Sequence, residues 1–137
     1  MNTPATNNKQ SDESKKTVLI LEDQPDLRVL YGQILSSAGF SVEMAPDGGI
    51  GLDMIRQKAW DLLLLDIMLP VMDGTAILKI IKSENIKKGP VLLLTNISNE
   101  NLIVEALSNG ADGYIVKTSV TPDQVVLEVK NAFKHQS

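Results

Sequence analysis

Four apolar runs in this chain stop on residues that can do chemistry. Thr17-Val18-Leu19-Ile20-Leu21 ends in Glu22-Asp23, and Leu62-Leu63-Leu64-Leu65 ends on Asp66. Val91-Leu92-Leu93-Leu94 ends on the hydroxyl of Thr95, and Tyr114-Ile115-Val116 ends on Lys117. A single polar residue closing an apolar run can simply satisfy turn backbone. Four of them, on four separate runs, point to a common site. Three acids at close range repel one another, and one is driven toward protonation. A divalent cation removes that conflict. The ligands are hard oxygens and the chain has no cysteine, so Mg²⁺ is the natural ion. Mg²⁺ binds through one or two carboxylates, keeps several waters and is completed by a phosphate. A carboxylate can then serve as phosphoryl acceptor and become an aspartyl-phosphate. Lys117 can neutralise one phosphoryl oxygen and Thr95 can hydrogen-bond another. Phosphoryl transfer needs little beyond such positioning and charge stabilisation.

The chemistry requires elements that bring the four run ends together. An amphipathic helix would interrupt four leucines with polar residues, and so would a one-sided strand. The run before Asp66 therefore reads as a parallel strand covered on both faces, turned by Pro70 and Asp73-Gly74. Ser41 to Ala45 reads as a further, shorter strand. Between the strands the spacing is helical. Pro25 opens a helix with Leu27, Leu30, Tyr31, Ile34, Leu35 and Ala38 on one face, and Gly39 closes it. Ile50, Met54 and Ile55 mark the inner face of a second helix. Its glycines, Gly48, Gly49 and Gly51, do not have the dinucleotide-binding spacing and read as helix-start and turn residues. Ile77, Ile80 and Ile81 mark a third, broken by Lys87-Lys88-Gly89-Pro90. Leu102, Ile103, Ala106 and Leu107 mark a fourth, capped by Ser98 or Asn99 and closed by Gly110. Thr121-Pro122-Asp123-Gln124 has the form of a capping box, and Val125, Val129 and Phe133 face inward behind it. Trp60 reads as packing. Five strands alternating with five helices predict an α/β domain, a doubly wound parallel sheet with right-handed crossovers. All carboxyl ends of such a sheet share one edge, where open α/β sheets carry their chemistry.

Composition narrows the class. The chain has 137 residues, 43% hydrophobic and 22% charged, with a formal net charge of -4. That size suits one domain with a real core. The acidic balance argues against direct nucleic-acid binding by this domain, because phosphate backbones are met by basic faces. No apolar run approaches the roughly 18 residues of a membrane helix. The absence of cysteine excludes disulfides and thiolate chemistry, and suits a reducing, cytoplasmic setting. His135, the only histidine, reads as a solvated terminal residue. Residues 1–16 are polar with no hydrophobic centre and read as a disordered leader. The folded domain is expected over 17–137. The chain stops just after the fifth helix, and its leader from Met1 favours a stand-alone domain.

Glu22-Asp23, the run Asp66-x-x-x-Pro70-x-Met72-Asp73-Gly74, Thr95, and Gly110-Ala111-Asp112-Gly113-Tyr114 leading to Lys117 resemble the receiver domain of two-component response regulators. The resemblance covers Lys16 to about Lys134. It implies a flavodoxin-like fold with strand order 2-1-3-4-5. It implies that Asp66 accepts phosphate from a sensor histidine kinase or phosphotransfer protein. It further implies that Glu22, Asp23, Asp66 and the backbone carbonyl of Met68 hold Mg²⁺, and that Thr95 and Tyr114 form a switch pair. Phosphate would draw the Thr95 hydroxyl inward and let the Tyr114 ring turn in. The surface of the fourth helix, fifth strand and fifth helix would then change its downstream protein target or its homodimer contacts. Such a domain is no enzyme beyond its own phosphotransfer and dephosphorylation.

The sequence departs from that family in three places. Many receivers follow the lysine with a proline in a cis peptide. Here Thr118 follows, and a cis bond before a non-proline residue costs about 2.5–4 kcal/mol. The Lys117-Thr118 bond is therefore expected trans, with a reshaped loop through Val120. Met68 and Ile97, each two residues past an active residue, are apolar and cannot orient a hydrolytic water, while Asn96 narrows the approach. Both features predict a long-lived phosphoryl group. Glu22, in place of the more frequent aspartate, is long enough to reach the metal through a water. Two other classes remain open: a haloacid dehalogenase-type phosphatase, which expects an acid where Met68 stands, and a pseudo-receiver that only binds partners. Asn96-Ile97-Ser98 matches a glycosylation sequon by accident of composition.

Overall fold

In the computed structural model, which describes residues 15–96 and 100–135, each apolar run is a strand. The strands are β1 (Thr17–Leu21), β2 (Ser41–Ala45), β3 (Leu62–Asp66), β4 (Val91–Thr95) and β5 (Gly113–Val116). They form one parallel sheet in the order β2-β1-β3-β4-β5. The helices between them are α1 (Pro25–Ser37), α2 (Gly48–Gln57), α3 (Gly74–Glu84), α4 (Glu100–Ser108) and α5 (Pro122–Lys134). This is the flavodoxin-like order that the resemblance implies. Of the leader, residues 1–14 lie outside the described residues, as do Ile97 and the expected caps Ser98 and Asn99.

Period-two alternation sorts the strand side chains into two cores. Val18, Ile20, Leu62, Leu64 and Leu94 pack with Tyr31 of α1 and Val125 of α5. Leu19, Leu21, Leu63, Leu65 and Leu93 pack with Ile55, Ile77 and Ala106 of the other three helices. Leu62 to Leu65 of β3 are buried on both faces of the sheet, which is why the run before Asp66 is unbroken leucine. Burying each of those leucines contributes about 1.5–3 kcal/mol.

The helix ends follow local signals. Pro25 occupies the first turn of α1, and Gly39 past its end has φ +101°. Asp47 and Asp73 cap α2 and α3, accepting from the amides of Ile50 and Ala76 at 2.8 and 2.9 Å. Asp73 of the Asp73-Gly74 pair is thus a helix cap. Thr121 and Gln124 form the expected capping box of α5. Helix α3 stops earlier than the Lys87–Pro90 break, at Asn85, which takes the left-handed conformation.

Three expected inner positions face outward instead. Ile50 is 48% exposed, and Leu30 and Leu107 are similarly open. In α2 the buried positions are Gly48, Gly51, Leu52 and Ile55. A side chain on Gly51 would run into Leu21, so α2 lies close on the sheet and its glycines are packing positions. That close seat rotates Ile50 into solvent. In α1 and α4 the stripe is narrower than the sequence suggests, centred on Tyr31 and Leu35 and on Ala106.

Candidate functional site

The register places the chemistry. Leu21 pairs with Leu65 across β1 and β3, so Glu22 and Asp66 come next, side by side. Asp66 lies level with Leu94 of β4, and Thr95 with Val116 of β5. The alternation that orders the cores continues through the strand ends. Glu22, Asp66 and Lys117 follow residues of the α1–α5 face, whereas Thr95 and Tyr114 share the parity of Leu93 on the opposite face.

Asp66 is buried and held at both oxygens. Its Oδ1 accepts from the Met68 amide at 3.0 Å and its Oδ2 from Lys117 Nζ at 2.9 Å. Lys117 Nζ also lies 2.9 Å from Glu22 Oε1. That contact is an ion pair, and Oε1 has no other partner among the described residues. Glu22 Oε2 accepts from the Gln24 amide at 3.1 Å. Burial raises the Glu22 carboxyl above its ordinary range, and Lys117 offsets this only in part. Burial pulls Lys117 down, but the Glu22 and Asp66 carboxylates outweigh it and the ammonium is held above its ordinary value. The Tyr31 hydroxyl on α1 is raised by its burial and then by the Glu22 charge.

Asp23 is half-buried at the pocket mouth. Glu22, Asp23 and Asp66 each offer one carboxylate oxygen within 4.8 Å of the others. Two ligands across an octahedral Mg²⁺ stand about 4.1 Å apart, from bonds of about 2.0–2.1 Å. Three hard oxygens at this spacing, two of them on buried residues, fit a divalent cation. Thr95 is buried at the next strand end, with its hydroxyl donating to the Asn96 carbonyl at 2.9 Å. Tyr114, half exposed, sits on the same sheet face as Thr95. No cis peptide occurs among the described residues, so Lys117-Thr118 is trans as expected. The loop turns through a bond from the Ser119 amide to the Val116 carbonyl at 3.2 Å. Lys117 still reaches Asp66 without the proline.

The β3–α3 loop carries two features the sequence did not announce. Val71 has φ +72°, and the Met72 amide reaches back to the Pro70 carbonyl at 2.8 Å, which makes a γ-turn. A β-branched residue is strained there. The Gly48 amide bonds the same carbonyl at 3.1 Å, and a side chain on Gly48 would strike the Met72 carbonyl. The start of α2 is therefore locked to the β3–α3 loop. The Val71 side chain is 81% exposed, so its removal loses little packing. Val71→Gly is expected to raise stability by about 1 kcal/mol, the lower end of the strain of such a residue. Chemical denaturation of the two proteins checks it, and a destabilised variant would show the turn to be unstrained.

Arg28 was also missed. Its Nη1 donates to the carbonyl of Glu22 at 2.9 Å and lies 3.4 Å from that of Asp23. A concavity of about 840 Å³ lies elsewhere. It opens at the amino ends of β4 and β5, and its lysines are already spent: Lys87 on Asp112 and Gly110, Lys88 on the carbonyls ending α2.

Fold and site together define a doubly wound α/β protein with an acidic, lysine-clamped pocket at the carboxyl edge of its sheet. Known proteins share the fold. The response regulator receiver domain matches residues 18–130, and the chain belongs to that family. The transcriptional activator protein PfeR of Pseudomonas aeruginosa is 37% identical over 100 residues, 73% of this chain and 32% of PfeR. The transcriptional regulatory protein DltR of Streptococcus agalactiae is 37% identical over 73% of this chain and 44% of DltR. The chain thus spans less than half the length of these relatives. Among solved structures, a CheY-like receiver domain protein of Methanospirillum hungatei superposes with a TM-score of 0.80 at 32% identity, covering 88% of this chain and 95% of that one. The receiver domain of Francisella response regulator 1452 gives 0.80 at 27%, covering 88% and 98%. No helix among the described residues is long and apolar enough to cross a membrane.

Proposed function

We propose that this receiver is a phosphorylation-controlled switch in which Asp66 is the acceptor. The donor is a phosphohistidine on a sensor histidine kinase or phosphotransfer protein. An Asp66 oxygen attacks phosphorus, the phosphorus–nitrogen bond breaks, and the imidazole leaves with the bonding pair and takes up a proton. The observation that carries this reading is the buried Asp66 carboxylate, gripped by Lys117 and level with Glu22 and Asp23. Lys117 is in place to hold a phosphoryl oxygen. Thr95 reaches another by giving up its bond to the Asn96 carbonyl. Glu22, Asp23, Asp66 and the Met68 carbonyl would hold Mg²⁺, and the ion would neutralise part of the phosphoryl charge. In the same reading 17–137 is the receiver, 1–16 a leader, and the domain turns over no external substrate. Tyr114 follows Thr95 inward, and the α4–β5–α5 face exchanges its protein partners or pairs with a second copy. With a net charge of -4, this domain is assigned no nucleic-acid contact of its own.

Incubation with acetyl phosphate and Mg²⁺ tests the reading. The receiver gives a stable label on the protein. Turnover of external phosphoesters would instead make it a phosphatase, and no label would make it a pseudo-receiver. Met68 speaks against the phosphatase, since its thioether has no proton to give a leaving group.

Lifetime is a separate expectation. The Met68 side chain stands 63% exposed beside the acceptor and offers attacking water no hydrogen bond. Met68→Asn is expected to lose its phosphoryl group about tenfold faster, below the roughly 10²-fold of a full general base. The decay of label after donor removal measures this. Equal decay in both proteins would show that Met68 does not limit hydrolysis.

A further inference from the structure

Arg28 stands where a helix disfavours a cation. It is the fourth residue of α1, in the first turn, where the helix dipole favours negative charge. Its guanidinium turns back past the helix start to the loop that leaves β1. There Nη1 donates to the Glu22 carbonyl at 2.9 Å, with the Asp23 carbonyl at 3.4 Å. The Arg28 amide meanwhile bonds the Gln24 carbonyl at 2.9 Å, and the Gln24 amide bonds the Glu22 carboxylate at 3.1 Å. The acid-bearing loop is therefore tied at each of three consecutive residues, two of them by Arg28's side chain and the third by its backbone.

From this geometry we infer that Arg28 is a positioning residue for the divalent cation, acting through the peptide planes of Glu22 and Asp23. The inference rests on the cation-binding reading of the pocket. Arg28 meets no carboxylate oxygen of the pocket within ion-pair distance among the described residues; its hydrogen bonds go to backbone oxygens. Fixing those two carbonyls fixes the Cα–Cβ directions on either side of them. The Glu22 carboxylate then lies beside Lys117, and the Asp23 carboxylate lies across from Asp66 at the pocket mouth. Without the guanidinium, the Asp23–Gln24 peptide keeps a single tie, from the Gln24 amide to the Glu22 carboxylate. Asp23 is the least buried of the three acids, and among the described residues no other donor reaches its carbonyl. Groups that orient metal ligands from behind typically change metal affinity by about 10–100-fold.

The sign of the effect separates this role from simpler ones. A guanidinium near three acids also opposes a divalent cation by charge. If charge were its only influence, removing it would tighten Mg²⁺ binding. If Arg28 only stabilised the fold, removal would lower the melting temperature and leave affinity alone.

Calorimetric titration with Mg²⁺ of the full chain, of Arg28→Ala and of Arg28→Lys decides among these, with metal-free melting curves alongside. Amide and carboxyl NMR shifts of Glu22 and Asp23 supply a second readout on any variant that folds. The expected result is at least tenfold weaker Mg²⁺ binding by Arg28→Ala, with shifted Asp23 resonances. Arg28→Lys, which keeps a donor within reach of one carbonyl, recovers part of the loss. Unchanged or tighter binding by Arg28→Ala overturns the inference and leaves the pocket's function standing. Failure of the unmodified protein to bind Mg²⁺ overturns the cation site itself, and this inference with it.

Discussion

Lys117→Met is expected to lower the stability of the metal-free protein by about 3 kcal/mol, at the low end of the cost of breaking a buried ion pair. For a domain of this size that is a fall in melting temperature of about 10 °C. The side chains of Lys117, Glu22 and Asp66 are 8%, 0% and 4% exposed. One ammonium serves two carboxylates, each 2.9 Å away. Methionine fills a similar volume but leaves two neighbouring negative charges without a partner. One of them, Glu22, is already raised by its burial. Mg²⁺ is expected to restore part of the loss, because it supplies the missing positive charge. A variant as stable as the parent without metal would mean that water reaches the pair and that Lys117 is not structurally needed.

Asp66→Asn is expected to abolish labelling by acetyl phosphate altogether while keeping the fold. A carboxamide oxygen is a far weaker nucleophile than a carboxylate, and its adduct is not an acyl phosphate. The change is nearly isosteric. The amide oxygen can still accept from Met68 or Lys117, and Lys117 keeps Glu22 as its counter-charge. One of three crowded acids is removed, so the metal-free variant should melt no lower than the parent. Mass measurement of the intact protein after incubation with the donor reads the first effect, and a melting curve the second. Residual labelling near the parental level would place the acceptor on another residue.

The strands and their chemistry could be read from the residues because one cause produced both signals. A doubly covered parallel strand admits only apolar side chains, so the polar residue that ends each run stands out. The period-two parity of Glu22, Asp66 and Lys117 was fixed as soon as the strands were. What could not be read depended on contacts between elements. Ile50 looks like an inner residue by hydropathy, but Gly51 lets α2 settle against Leu21 and turns Ile50 away. Nothing in a valine announces a left-handed backbone, and Val71 takes one because Pro70 and Gly48 close the loop around it. Leu107 and Leu30 flank stripes whose width is set by the sheet beneath them. Arg28 did leave a trace, a cation in the first turn of a helix. The carbonyls that explain it are visible only once β1 and α1 are placed together.

Asp66, and no other carboxylate, is expected to become phosphorylated in a Mg²⁺-dependent reaction. Borohydride reduction after treatment with acetyl phosphate tests this most directly, because it converts an aspartyl-phosphate to homoserine at the modified position. Homoserine is expected at residue 66, present with Mg²⁺ and lost when the metal is chelated. Homoserine at another position, or reduction at Asp66 that ignores the metal, would contradict it.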